Sequence, residues 1–381
     1  MIPNILIEGD VTTPESALRF FNKAIEVNAS EIHVTSEDFV RFEIQGRQQC
    51  VSSHQLDNEE LANFVRATYK NTSGETRALG DTELDYNFLH RYQKEGDTRL
   101  RQYSFRVNVC SATVSTGVGI HLAIRKVEED APRWQELGLS ESLWDIWRPN
   151  EGIVIVSGPT GSGKSTLLAA GNRRILEERQ NEKIVTLEHP VEYHLRKYMK
   201  ETTMIVHRAV GKNTKSFMSG LESSMRQKPT IVVIGEARDR ATIEAALTIA
   251  TTGHLAYTTT HTNSVPETGT RLLSPFPSEE KEQRLADILY SSRLMINQRL
   301  LRSEDGKRVA VKEILPFDKD VRYRLESTNP RMLKKEMRRM VNEYGQPFSE
   351  DLDKYISQGL LRAEDQEVKS IMLASKAELN S

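Results

Sequence analysis

The chain has 381 residues, 38% of them hydrophobic and 28% charged, long enough for two or three folded domains with at least one sizeable core. A formal net charge of -2 gives no global attraction to nucleic acid or acidic lipid, and two cysteines, Cys50 and Cys110, are too few for a disulfide framework or a Cys₄ zinc module. No apolar run approaches a membrane span, and Met1-Ile2-Pro3-Asn4 lacks the pattern of a secretory signal, so a cytosolic protein is expected and nucleic acid is not expected as its direct substrate.

Thr13-Pro14-Glu15 supplies a capping residue, a proline for the first helical position and an acid for the first turn. Leu18, Phe21 and Ile25 follow at helical spacing, which predicts a helix over about 14 to 27. Ile32 and Val34, then Val40, Phe42 and Ile44, alternate with polar residues before Gln45-Gly46 and read as strands and a turn. Asp57 and Glu60 form a capping box ahead of Leu61, Phe64 and Val65. Two more alternating stretches run through Tyr103, Phe105, Val107 and Val109 and from about 119 to 127. An antiparallel sheet with helices on one side fits residues 1–127. The charged, apolar-poor stretch Glu128-Glu129-Asp130-Ala131-Pro132-Arg133 reads as a linker, and the domain division follows as 1–130, a linker over 131–139, 140–325 and 326–381. Trp134 is either a contact anchor or plain packing; Leu143, Trp144 and Trp147 suit a short helix lying on the next domain.

From 151 the pattern changes to short apolar strands, at 153–157, 183–187, 231–234 and 254–259, separated by helical stretches at 214–226 and 239–252. This is the alternation of an α/β domain, whose functional loops gather at the carboxyl ends of the strands. Ser264 and Glu267 cap a helix carrying Arg271, and residues 299–314 read as a hairpin turning at Asp305-Gly306. After Asn329-Pro330 the chain is helical again. There Lys334, Lys335, Arg338 and Arg339 cluster, as a solvated face or as a contact for a partner or an anionic surface.

The most informative stretch is Gly158-Pro159-Thr160-Gly161-Ser162-Gly163-Lys164-Ser165-Thr166, set between an apolar strand and a helix. Its glycines let successive N–H groups and the helix N-terminus face phosphate oxygens; Lys164 is suited to the β and γ oxygens and Ser165 to Mg²⁺. Three carboxylates stand at strand ends. Glu236 follows Ile231-Val232-Val233-Ile234-Gly235, a Walker B arrangement suited to hold Mg²⁺ through water or to polarise the attacking water. Glu188 and Glu192 flank His189-Pro190-Val191, and either suits orienting or deprotonating water. His254 and His261 lie where a histidine can bond a phosphate or report its presence to a carboxylate. Arg106 and Arg125, outside the nucleotide domain, are candidates for charge supplied from elsewhere; the plainer reading makes them salt-bridged strand residues.

Taken in order, Gly158 to Thr166, Thr186 to Glu192, Ile231 to Asp239, and Thr252-Gly253-His254 with Thr259-Thr260-His261-Thr262 resemble the Walker A, Asp, Walker B and His boxes of the type II/type IV secretion ATPase superfamily. Ala29-Ser30-Glu31-Ile32-His33 and Phe105-Arg106-Val107-Asn108 resemble N-terminal strands of its pilus-retraction motors. The chain is most similar to the PilT-like branch, and within it to the ATPases of type IVB (Dot/Icm-like) secretion systems and the related conjugation ATPases. Pro316-Phe317-Asp318-Lys319-Asp320 stands where retraction motors carry Ala-Ile-Arg-Ala-Gly-Glu, which favours secretion or conjugation over retraction. His189 stands where the Asp box has aspartate, so the acidic role falls to Glu188 or Glu192.

The resemblance implies a RecA-like P-loop ATPase domain, preceded by a PAS-like α+β domain and followed by C-terminal helices. It further implies a homohexamer hydrolysing ATP with Mg²⁺, recruited to the cytoplasmic face of the inner membrane by secretion-machine components and working beside a second ATPase of the system. In that frame Arg106 and Arg125 become arginine fingers, Arg271 senses phosphate, Glu236 is the Walker B acid, Glu192 the water-activating residue with Glu188 as substitute, and His254 reports nucleotide state across the interface. The competing readings are a pilus retraction motor, a nucleic-acid-translocating ring, a P-loop kinase or GTPase, and a scaffold that binds nucleotide only to assemble. The chain has no N/T-K-x-D guanine signature.

Overall fold

The computed structural model describes residues 5–69, 83–127 and 130–380. They divide into two compact units that meet in sequence between residues 129 and 130.

In the first unit, helix α1 (Pro14–Glu26) starts at Thr13, whose side chain accepts from the Ser16 N–H. Helix α2 (Asn58–Thr68) starts with the Asp57/Glu60 capping box. The strands β1 (Glu31–Thr35), β2 (Arg41–Ile44), β3 (Arg47–Cys50), β4 (Leu84–Tyr92), β5 (Arg101–Val114) and β6 (Gly117–Val127) form an antiparallel sheet in the order β3-β2-β1-β6-β5-β4. Alternation sends Ile32, Val34, Phe105, Val107, Val109, Leu122 and Ile124 into one core with Phe20, Phe21 and Phe64 of the helices. The opposite parity leaves Glu31, Arg106 and Arg125 on the other face. Register makes Glu31 the partner of Arg125, and Arg125 the partner of Arg106.

The second unit is a seven-stranded sheet made of β7 (Gly152–Ser157), β8 (Lys183–Glu188), β9 (Met204–Ala209), β10 (Ile231–Ile234), β11 (Leu255–Thr260), β12 (Ser292–Arg302) and β13 (Arg308–Pro316). Its order is β13-β12-β7-β11-β10-β8-β9, parallel except for the β12–β13 hairpin. Helices α3 (Glu141–Trp147), α4 (Lys164–Glu178), α5 (Phe217–Met225), α6 (Arg240–Thr251), α7 (Val265–Leu273) and α8 (Lys281–Ser291) are joined by α9 (Lys319–Glu326), α10 (Leu333–Tyr344), α11 (Phe348–Ser357) and α12 (Gln366–Asn380). Cores on both faces of the sheet explain why β7, β10 and β11 are buried at every position. Among the described residues no helix is long and apolar enough to cross a membrane.

Three expectations change. Residues 131–139 are not a free linker: Ala131, Trp134 and Leu139 are buried with Trp144, Trp147 and strand residues of the second unit. The Trp134 ring lies 5.2 Å from both Trp144 and Trp147, so it is packing. The C-terminal helices are not a separate layer either. Leu333, Met337, Met340 and Val341 of α10 complete the core under α7, while Leu352, Val368 and Ile371 pack with Leu301 and Val311 of the hairpin. The basic cluster on α10 is also dispersed. Arg338 turns inward to a buried ion pair with Glu313, Lys334 lies 3.6 Å from Glu267, and Arg339 pairs with Glu343 at 2.7 Å. Arg338 is thereby removed from the exposed cluster, while Lys334, Lys335 and Arg339 remain on the surface.

Candidate functional site

The carboxyl ends of β7, β11, β10 and β8 lie side by side, and each carries a sequence-predicted group. β7 runs into the phosphate loop, which ends in α4 at Lys164. Glycine is required at two of its positions. Gly158 has φ +149, and a Cβ there would lie 2.3 Å from the Gln298 carbonyl oxygen; Gly163 has φ +84 at the N-cap of α4, with Gln298 Nε2 2.9 Å from where a Cβ would stand. Gln298 of β12 fixes the loop from behind by donating from Nε2 to the Ser162 carbonyl at 2.7 Å. Beneath it, Asn297 Nδ2 and Thr268 Oγ1 each donate to Ser157 Oγ at 2.8 Å, and Asn297 also donates to the Thr262 carbonyl. This buried network ties the end of β7 to the loop after β11. Neither Asn297 nor Gln298 is flagged by a motif, because each acts from a strand remote in sequence.

Lys164 is buried, and its Nζ donates to the carbonyls of Gly158 at 2.8 Å and Pro159 at 2.9 Å. Burial lowers its pKa, opposed by the negative charges of Glu236 and Glu192. Both carboxylates therefore lie in the field of the loop lysine. Ser162 Oγ is buried without a hydrogen-bond partner among the described residues. A glycine cradle that excludes side chains, a helix N-terminus, a lysine and the Ser165 hydroxyl make a donor set that fits a nucleotide polyphosphate with Mg²⁺.

Glu236 is half-buried at the end of β10, 3.8 Å from His261 Nε2. Burial and the Lys164 charge lower the His261 pKa, while Glu236 opposes them. The loop around Glu236 is pinned, since Thr259 Oγ1 donates to the Gly235 carbonyl at 2.5 Å and the Ala237 N–H to the Thr259 carbonyl at 2.8 Å. Glu188 ends β8. Its carboxylate faces His207 of β9 at 3.4 Å and lines a cavity of about 50 Å³ together with Ser165, Thr186, Tyr193, His207, Gly235 and Thr259. Glu192 is exposed beyond Pro190, and the loop carrying it is tied to α4 where Tyr193 Oη and Thr166 Oγ1 lie 3.0 Å apart.

The other predicted residues fall elsewhere. His254 stands ahead of β11, at the amino ends of the strands, where its carbonyl accepts from the Gly152 N–H and its Nδ1 lies 3.2 Å from Thr252 Oγ1. It is thus across the sheet from the phosphate loop of its own chain. Arg271, exposed on α7, reaches the Walker B loop, with Nη2 3.5 Å from the Arg238 carbonyl. Arg106 and Arg125 belong to the first unit. Arg106 donates to both oxygens of Asp85, at 3.1 and 2.6 Å, and Arg125 donates twice to Glu31 Oε1, at 2.8 and 2.6 Å. Hydrogen bonding from His33, reinforced by Arg125, lowers the Glu31 pKa to about 2. Sequence reasoning missed His207 and Tyr193, which sit outside every motif core.

Residues 14–347 match the family model described as "Type II/IV secretion system protein". The twitching motility protein of Neisseria gonorrhoeae is 30% identical over 345 residues, 89% of this chain and 87% of that protein. Among solved structures, the Legionella pneumophila ATPase DotB superposes with a TM-score of 0.88 at 31% identity, covering 98% of this chain and 100% of that one. The pilus retraction motor PilT, solved with bound ADP, gives a TM-score of 0.74 at 27% identity over 92% of this chain and 96% of that one.

Proposed function

The chain belongs to the type II/IV secretion system protein family, and from that premise we propose that it is a Mg²⁺-dependent ATPase acting as a homohexamer to drive export or machine assembly in a type IVB or conjugation system. One observation carries the catalytic part: the phosphate loop with Lys164 and Ser165 shares one sheet edge with Glu188, Glu192 and Glu236. The likeness to DotB over the whole chain, C-terminal helices included, supports the secretion reading. The likeness to PilT supports pilus retraction as the second reading.

ATP binds with its β and γ phosphates against the loop N–H groups, and Lys164 exchanges its two carbonyl acceptors for phosphate oxygens. Ser165, and Glu236 through water, would hold Mg²⁺, which supplies charge neutralisation at the phosphate oxygens. Glu192 orients water for attack on the γ-phosphorus; the bond to the bridging oxygen breaks, releasing ADP and phosphate. His261 senses the γ-phosphate through its neighbours Lys164 and Glu236. Arg106 and Arg125 stand side by side on one sheet face and act on a neighbouring subunit's nucleotide, beside Arg271. His254 serves in the same interface. The protein works in the cytoplasm and is recruited to inner-membrane components of the secretion machine, with a second ATPase of that machine as partner.

The test is steady-state phosphate release. Lys164→Ala and Glu236→Gln should each lose roughly 10²-fold or more in kcat while keeping the fold. Turnover unchanged in both variants would remove the ATPase reading.

A further inference from the structure

His207 lies outside every motif, yet its ring is 8% exposed and both nitrogens are engaged. Nε2 stands 3.1 Å from the Leu195 backbone N–H, which can only donate. The lone pair must therefore be on Nε2, and the neutral ring carries its proton on Nδ1. That nitrogen points between Thr186 Oγ1 at 3.1 Å and Glu188 Oε1 at 3.4 Å. A backbone donor twelve residues earlier thus sets a tautomer whose Nδ1–H is shared between the Thr186 hydroxyl and the Glu188 carboxylate. Glu188, His207 and Ser165 line the same cavity, and Tyr193, which touches Thr166, closes its side.

We propose that His207 is a positioning residue that holds the Glu188 carboxylate toward the Ser165 side of the nucleotide site. Resting on the ATPase reading, this gives Glu188 and Glu192 different duties. Glu192, exposed and in the field of Lys164, is free to work on water. Glu188 is held by a neutral donor and shapes the surroundings of the Mg²⁺ ligand Ser165. Partners that orient a metal site's groups are typically worth 10- to 100-fold in metal affinity or activity.

Two near-isosteric substitutions separate the donor from the acceptor. In His207→Asn the amide nitrogen replaces Nδ1 and still donates toward Glu188, whereas the acceptor for Leu195 is lost. His207→Gln places its amide oxygen at Nε2, keeping the Leu195 bond and losing the donor. Mn²⁺ affinity of the nucleotide-bound protein, read by electron paramagnetic resonance, should fall roughly 10-fold or more in His207→Gln and less than about 3-fold in His207→Asn, with affinity for metal-free ATP unchanged in both. In a Glu188→Gln background the His207→Gln loss should largely vanish. Equal losses in the two variants, a larger loss in Asn, or a Gln variant like wild type would overturn the proposal; the first two would leave His207 a brace for the 193–198 loop. Because the readout is metal binding, it stands apart from the ATPase assay. A wild-type protein without turnover would remove the ATPase reading while the Mn²⁺ series still decides the role of His207.

Discussion

The inward turn of Arg338 gives a prediction that distinguishes a packed C-terminal helix from a solvated one. Glu313 is fully buried on β13, Arg338 is 2% exposed on α10, and they pair directly. The other Glu313 oxygen accepts from the Val265 N–H at 2.6 Å, at the start of α7 and just beyond the loop that carries His261. Arg338→Met removes this cation from beside a fully buried carboxylate that keeps the Val265 N–H. Breaking a buried pair in this way costs about 3–5 kcal/mol, whereas a charge on a solvated helix face costs about 0.5 kcal/mol or less. Arg338→Met with Glu313→Gln should recover a large part of the loss, since neither position of the buried pair then carries charge. The assay is denaturant unfolding followed by tryptophan fluorescence. All three tryptophans, Trp134, Trp144 and Trp147, lie in the second unit, so the signal reads that unit alone. An Arg338→Met loss below about 1 kcal/mol would refute the buried-pair account.

Gly171→Ala should destabilise the same unit by about 1–3 kcal/mol, because a Cβ there would stand 2.3 Å from Trp147 Nε1; an unchanged unfolding midpoint would count against this packing. The first unit should be acid-sensitive. Glu31 titrates near 2 when folded against 4.5 ordinarily, so its contribution is complete above about 4.5 and is lost as pH falls toward 2. Amide protection factors in β1 and β6, taken relative to the intrinsic exchange rate at each pH, should fall across that window, and less steeply in Glu31→Gln. Mixing Arg106→Ala with Lys164→Ala should restore turnover above that of either alone, as each supplies what its neighbour lacks; strictly additive rates would exclude a shared site.

The sequence made the catalytic edge of the sheet legible because each box there is a local device: a glycine loop, an apolar strand ending in an acid, a capped helix. α1, α2, β7, β10 and β11 were readable for the same reason, their caps and periodicity being set by neighbouring residues. What escaped depends on residues distant along the chain. β4 and β9 carry weak alternation and become strands by pairing with β5 and β8. β12 begins well ahead of the hairpin because it also pairs with β7. The stretch 131–139 looks polar, yet three of its residues lie in a core. Arg338 reads as one of four basic surface residues until Glu313 is placed opposite it. His207 falls in the same class, since only the fold brings Leu195 and Glu188 to its two nitrogens.

Sites completed between subunits, as proposed for this ATPase, are tested by turnover per subunit against protein concentration, with particle mass read on the same samples with and without Mg-ATP. The expected result is a rate per subunit that rises as hexamers form. Full activity in a stable monomer would contradict it, leaving the phosphate loop as a nucleotide site within one chain.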